Sequence, residues 1–184
     1  MFQDLIENMA RMLEEKGISY MLIGGQAVLL YGEPRATKDI DVTLDVGPDR
    51  LPDIMNLVRD LDWKVLVEDP HTFVTKTLVL PCQDPQTGIR IDLIFSFSAY
   101  EHQAIRRVKR VLIGDTKVMF ASVEDIIIQK VITGRPRDLE DVKIILAKNP
   151  EMDIPYIHSW LKQFSESLAQ PFLKTFDEIH KYIQ

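Results

Sequence analysis

Two stretches of strict alternation, "KDIDVTL" (38–44) and "GIRIDLIF" (88–95), constrain this chain more than any other feature. Side chains alternate across a strand, so residues i and i+2 share a face. In the first stretch Ile40, Val42 and Leu44 fall on one side, with Asp39, Asp41 and Thr43 on the other. In the second, Ile89, Ile91, Leu93 and Phe95 oppose Arg90, Asp92 and Ile94. Both patterns predict strands with an apolar face for a helix layer and an acid-bearing face turned away from it. Aspartate is depleted in strands, and two on one face repel unless a cation sits between them.

The rest of the chain frames these strands. Leu5, Ile6, Met9, Met12 and Leu13 repeat at helical spacing up to Gly17. "SYMLIG" (19–24) reads as a buried strand, and "GQAVLLYG" (25–32) as a short helix closed by Gly32. A helix over 49–63 tolerates Pro52 only in its first turn. "WKVLV" is a short strand, and "HTFVTKTLVL" is either a helical turn followed by a strand or a single strand. "DPQTG" (84–88) is a turn. A helix is expected over 98–110 and a hairpin over 110–120, turning at Gly114-Asp115. From Ser122 the pattern is helical: 122–133, 138–148, 154–168 and 171–183. The division expected is a core over 1–121 and a C-terminal helical lobe, 122–184, packed on it.

Composition narrows the function classes. The 184 residues are 46% apolar and 27% charged, which suits a folded domain. A net charge of −6 provides no global attraction for nucleic acid, so any such contact is local. Cys82, the single cysteine, reads as a small core residue in a reducing compartment. The acidic N-terminus does not read as a signal peptide, and "YMLIGGQAVLLYG" is too short to span a bilayer. A cytoplasmic protein without membrane attachment is expected. His71, His102, His158 and His180 lack zinc-ligand spacing. No P-loop, dinucleotide fingerprint or nucleophile elbow occurs.

Mg²⁺ takes one or two carboxylates and substrate phosphates besides, and a third carboxylate from a neighbouring strand suits a two-ion site for phosphoryl transfer. Asp39, Asp41 and Asp92 match that demand. The plainer reading of Asp39 and Asp41 alone is an edge strand that discourages aggregation. "LIGGQA" adds Gly24-Gly25 between a strand and a helix, where backbone approaches a phosphate closely. A simple tight turn explains the glycines equally well.

Together these motifs resemble the nucleotidyltransferase superfamily related to DNA polymerase β. The matching residues are Ile23-Gly24-Gly25, a thirteen-residue spacer, Asp39-Ile40-Asp41-Val42, and Asp92 in "RIDLIF". Gly25 stands where many active members have serine. Lys130 followed by Arg137-Asp138-x-x-Asp141 is similar to the AbiEii-like and minimal nucleotidyltransferases of bacterial toxin–antitoxin pairs. The resemblance spans residues 18–148 and implies an α/β (α+β) fold: a mixed sheet with helices on one face, followed by a helical segment. It implies Mg²⁺, two ions, held by Asp39, Asp41 and Asp92, and an NTP such as ATP as donor. Asp92 is then expected to help deprotonate the acceptor. Gly24, Gly25, Lys130 and Arg137 are the expected nucleotide contacts, supported by Thr37, Lys38, Asp138 and Asp141. The acceptor is open between RNA, protein and small molecules, and an antitoxin is the expected partner of a toxin-type enzyme.

Competing readings stand beside these. Asp138 and Asp141 serve equally as helix-capping residues. Lys130 competes with a reading as a surface lysine, and Arg137 with a solvated loop residue. "RRVKR" (106–110) reads as the exposed end of a helix before it reads as an RNA contact. The C-terminal helices either pack on the domain or form a homo-oligomer or antitoxin surface. A catalytically weak binding module on the same fold is the main alternative function. A metal nuclease is less favoured, since Ile94 takes the place where such sites want lysine.

Overall fold

The structure is a computed structural model describing residues 2–33 and 37–183. It divides into two units, Met1–Gln26 with Ala36–Ala121, and Ala27–Arg35 with Ser122–Gln184.

The first unit holds a seven-stranded mixed sheet. Its strands are β1 (Tyr20–Ile23), β2 (Asp39–Leu44), β3 (Lys64–Val65), β4 (Val79–Gln83), β5 (Arg90–Phe95), β6 (Lys109–Ile113) and β7 (Thr116–Phe120), in the spatial order β3-β4-β5-β2-β1-β7-β6. The pairs β2–β5 and β1–β7 are parallel and the others antiparallel. Ile40, Val42, Leu44, Ile91, Leu93 and Phe95 are buried, as the alternation requires. The same unit carries α1 (Phe2–Glu15), α3 (Leu51–Asp60), α4 (Pro70–Thr77) and α5 (Ala99–Arg106). Between β1 and β2 lies α2 (Gly24–Tyr31), whose first turn belongs to this unit and whose remainder belongs to the other.

One open alternative and two differences from the sequence reading have local causes. "HTFVTKTLVL" resolves into a helix and then a strand, because Leu78 takes the left-handed conformation (φ 60°) and ends α4. The helix expected over 98–110 stops at Arg106, since Lys109 and Arg110 pair with Phe120 and Met119 of β7. The basic run is therefore split between a helix end and an edge strand, where charge guards against further pairing. The helix expected from 138 begins at Pro136, in the first-turn position that suits proline.

The second unit carries α6 (Val123–Thr133), α7 (Pro136–Lys148), α8 (Ile154–Leu168) and α9 (Phe172–Ile183). Val131, Val142, Ile145, Ile157, Leu161 and Phe176 form its apolar interior. A polar lattice starts it: Ser122 caps α6 by accepting from the Asp125 amide at 3.1 Å and donates its hydroxyl to Asp125 Oδ2 at 2.6 Å. Tyr156 donates to Asp125 Oδ1 at 2.9 Å, tying α8 to α6. No helix among the described residues is long and apolar enough to cross a membrane.

Asp125 is wholly buried, so its loss strands the Ser122 and Tyr156 hydroxyls. Asp125→Ala is expected to lower stability by about 2–3 kcal/mol in urea unfolding. Tyr156→Phe is expected to cost about 1 kcal/mol.

Candidate active site

β2 and β5 run side by side in parallel, with Asp41 opposite Asp92 and Asp39 opposite Arg90. Residues paired across adjacent strands share a face. Asp39, Asp41 and Asp92 therefore stand together on the face opposite the buried Ile40, Val42, Ile91 and Leu93. All three acids are only partly exposed.

The glycine turn meets the same face. β1 pairs antiparallel with β2, with Ile23 opposite Asp41, so Gly24 follows directly at the acid. Gly24 has φ +63°, a conformation side chains rarely adopt. A Cβ there would overlap Asp41 Oδ2 and lie 3.0 Å from Asp41 Cγ. Glycine is thus required twice, for its backbone and for the space its missing side chain leaves to a carboxylate. Gly25 follows as the second residue of α2, where helix N–H groups lack intrahelical acceptors. Gln26, buried in the same turn, donates its amide to Thr37 Oγ1 at 2.7 Å. This bond ties the turn to the residues leading into β2, next to exposed Lys38.

A cation already stands among the acids. Arg90 Nε donates to Asp92 Oδ1 at 2.9 Å and to Oδ2 at 3.1 Å. The hydrogen bond to Asp92 raises the guanidinium above its usual range, against partial desolvation, and the charges of Asp92, Asp39 and Asp41 add to it. Alternation puts Arg90 on the face of Asp92, but their direct bond is not read from spacing alone. Behind this face, burial pushes the Cys82 thiol up to about 12, with the Asp92 charge adding, so Cys82 is a core thiol.

The remaining sequence candidates lie in the second unit. Lys130 is buried, with Nζ 2.8 Å from Asp138 Oδ1 and 2.7 Å from Asp141 Oδ2. The surface-lysine reading fails because two carboxylates of α7 draw the ammonium inward. Asp138 does not cap α7; it sits in the first turn and also accepts from Thr133 Oγ1 at 3.0 Å. Burial raises the Asp138 pKa, but the bonds and charge of Lys130, with Thr133 and Arg135, outweigh it and hold the carboxyl below its usual range. Arg137 is exposed.

A family model described as "nucleotidyltransferase of unknown function (DUF6036)" matches residues 1–171. The chain belongs to this nucleotidyltransferase family. It is accordingly an enzyme of the nucleotidyltransferase class. The solution structure of the antibiotic-resistance factor ANT(2'')-Ia is similar to this nucleotidyltransferase, with TM-score 0.64 and 16% identity over 91% of this chain and 92% of that one. A crystal structure of ANT(2'')-Ia in complex with adenylyl-2''-tobramycin gives TM-score 0.62 and 16% identity, over 90% and 98%. An antigenic nucleotidyltransferase-like protein from Paracoccidioides brasiliensis gives TM-score 0.55 and 19% identity, over 94% and 92%. At such identities the likeness is one of fold. No curated protein matches the sequence.

Carboxylate oxygens on two adjacent strands suit a hard divalent cation in donor type and register. Among the described residues no three acidic, histidine or cysteine side chains converge tightly enough to hold an ion as they stand. Asp92 is turned to Arg90 instead. The donor type and strand register, rather than the side-chain positions as they stand, are what suit a divalent cation.

Gly24→Ala is expected to reduce nucleotidyl transfer at least tenfold by displacing Asp41, with a stability loss of about 1–2 kcal/mol from backbone strain. Steady-state kinetics beside thermal melting separate the two effects. Lys130→Ala is expected to destabilise by about 3 kcal/mol, because two partly buried carboxylates lose their cation. The depressed Asp138 pKa contributes stability that is full above about pH 4 and lost as pH falls through the folded value. In Lys130→Ala the acid side of the stability–pH curve should therefore be shallower than in the parent.

Proposed function

We propose that this nucleotidyltransferase moves a nucleoside monophosphate from an NTP, ATP included, to an acceptor hydroxyl, with Mg²⁺ held by Asp39, Asp41 and Asp92. The observation that carries this reading is the register of β2 against β5, which gathers the three carboxylates on one face beside Gly24. In the transfer the acceptor oxygen forms a bond to the α-phosphorus. The bond from that phosphorus to the bridging oxygen breaks, and pyrophosphate leaves with the electron pair. The acceptor proton passes to a carboxylate, for which Asp92 is the proposed base. Bound Mg²⁺ supplies neutralisation of phosphate charge and lowers the cost of the leaving group. Gly24 and Gly25 let the backbone approach the triphosphate, and the N–H groups opening α2 suit its charge. Thr37, held by Gln26, and Lys38 support that end of β2.

Arg137, exposed on α7, is proposed as a further nucleotide contact. Lys130 could take that role only by leaving Asp138 and Asp141, so its proposed part is to hold those acids in place. A toxin-type role with an antitoxin partner is supported by the Lys130 and Arg137-Asp138-x-x-Asp141 motif alone. A small-molecule hydroxyl is the first acceptor class to test, because a similar fold is seen with adenylyl-2''-tobramycin. RNA and protein acceptors follow.

A second reading has its own observation. Gly25 supplies no hydroxyl to phosphate and Arg90 occupies Asp92, features that suit a weak or silent nucleotide-binding module.

Incubation with Mg²⁺, each labelled NTP, and aminoglycoside, RNA and protein acceptors decides between them. Transfer to one acceptor class is expected, with a loss of at least a thousandfold in Asp39→Ala/Asp41→Ala. NTP binding that survives that double substitution, without turnover in the parent, would support the module instead.

A further inference from the structure

Arg90 is a charged side chain on the carboxylate face to which the transfer chemistry assigns no part. It bonds Asp92 through Nε to both carboxylate oxygens and stands opposite Asp39 across the parallel pair. Its side chain is 53% exposed whereas that of Asp92 is 18% exposed, so the arginine can swing into solvent while the acid stays. One donor spans both oxygens of Asp92, so a metal ligated there shares the carboxylate with a guanidinium unless the arginine moves away. An arginine guanidinium keeps its charge throughout the working pH range, so it leaves Asp92 only by moving, not by losing its proton.

We infer that Arg90 is a positioning residue that occupies the carboxylate face as a resident cation and sets the affinity of the metal site by competing for Asp92. The inference rests on the reading of this face as a divalent-cation site. Without a metal, the guanidinium neutralises part of the repulsion among three like charges. An arriving dication either displaces it or shares Asp92 with it at the cost of repulsion between two cations at short range. Removing one unit charge a few ångströms from a dication in a half-exposed site corresponds to roughly tenfold in affinity. The arrangement keeps the site from binding metal tightly before the nucleotide arrives with its own negative charge.

Mn²⁺ binding to the full chain, read by the electron paramagnetic resonance of the free ion, tests this without turnover. Arg90→Ala is expected to bind Mn²⁺ about tenfold more tightly than the parent, and Arg90→Lys to fall between them. Asp41→Asn serves as the site control and is expected to weaken binding in either background. Circular dichroism of Arg90→Ala checks that the fold persists, which the exposure of Arg90 favours. Unchanged or weaker Mn²⁺ binding in Arg90→Ala, with the parent binding in an Asp41-dependent way, overturns the role of Arg90 and leaves the metal reading standing. Absence of Asp41-dependent binding in both proteins overturns the metal reading, and the inference with it.

Discussion

Parallel pairing of β2 with β5 forces like charges together, and the rest of the site follows from how that repulsion is met. Asp41 opposite Asp92, with Asp39 two pairs away on the same face, is an unfavourable arrangement for a strand pair with nothing else nearby. The opposite face compensates: Ile40, Val42, Leu44, Ile91, Leu93 and Phe95 are all essentially inaccessible to water. Each such side chain contributes about 1.5–3 kcal/mol on burial, which exceeds the repulsion of half-exposed acids. Arg90 offsets part of the remainder. A sheet of this design tolerates a charged face because its stability comes from the other one.

The two units handle buried charge differently. In the first, the carboxylates stay partly wet beside an arginine that can swing away, and Gly24 leaves room next to Asp41. In the second, Lys130 is fixed between Asp138 and Asp141, and Asp125 is wholly enclosed by hydrogen-bonding partners. Exchangeable pairing suits the proposed role of this face in taking up ions and substrate. Closed pairing suits a scaffold, since breaking it leaves an uncompensated charge.

Period-2 alternation makes the two key strands legible in the sequence, and their like faces make the acid cluster legible there too. The Gly24-Gly25 turn was visible as a motif, but the reason for glycine was not: the neighbour it accommodates lies seventeen positions along the chain, in another strand. Lys130 showed the limit of a local pattern. Its partners sit eight and eleven residues away on a different helix, so nothing in the run of isoleucines around it signalled burial beside two acids. Leu78 at positive φ runs against residue preference, which is why the helix-to-strand switch at 77–79 stayed ambiguous. The overrun of the helix through "RRVKR" has a similar origin, because pairing with β7 overrides a stretch whose own residues favour helix.

The most direct measurement is anomalous diffraction from crystals grown with Mn²⁺ and a non-hydrolysable NTP. A manganese peak bonded to Asp39 and Asp41, with Asp92 turned from Arg90 towards the ion and the triphosphate lying against Gly24 and Gly25, is the expected result. Manganese and nucleotide bound elsewhere, with Asp92 still paired to Arg90, would contradict the assignment of the β2–β5 face as the catalytic centre.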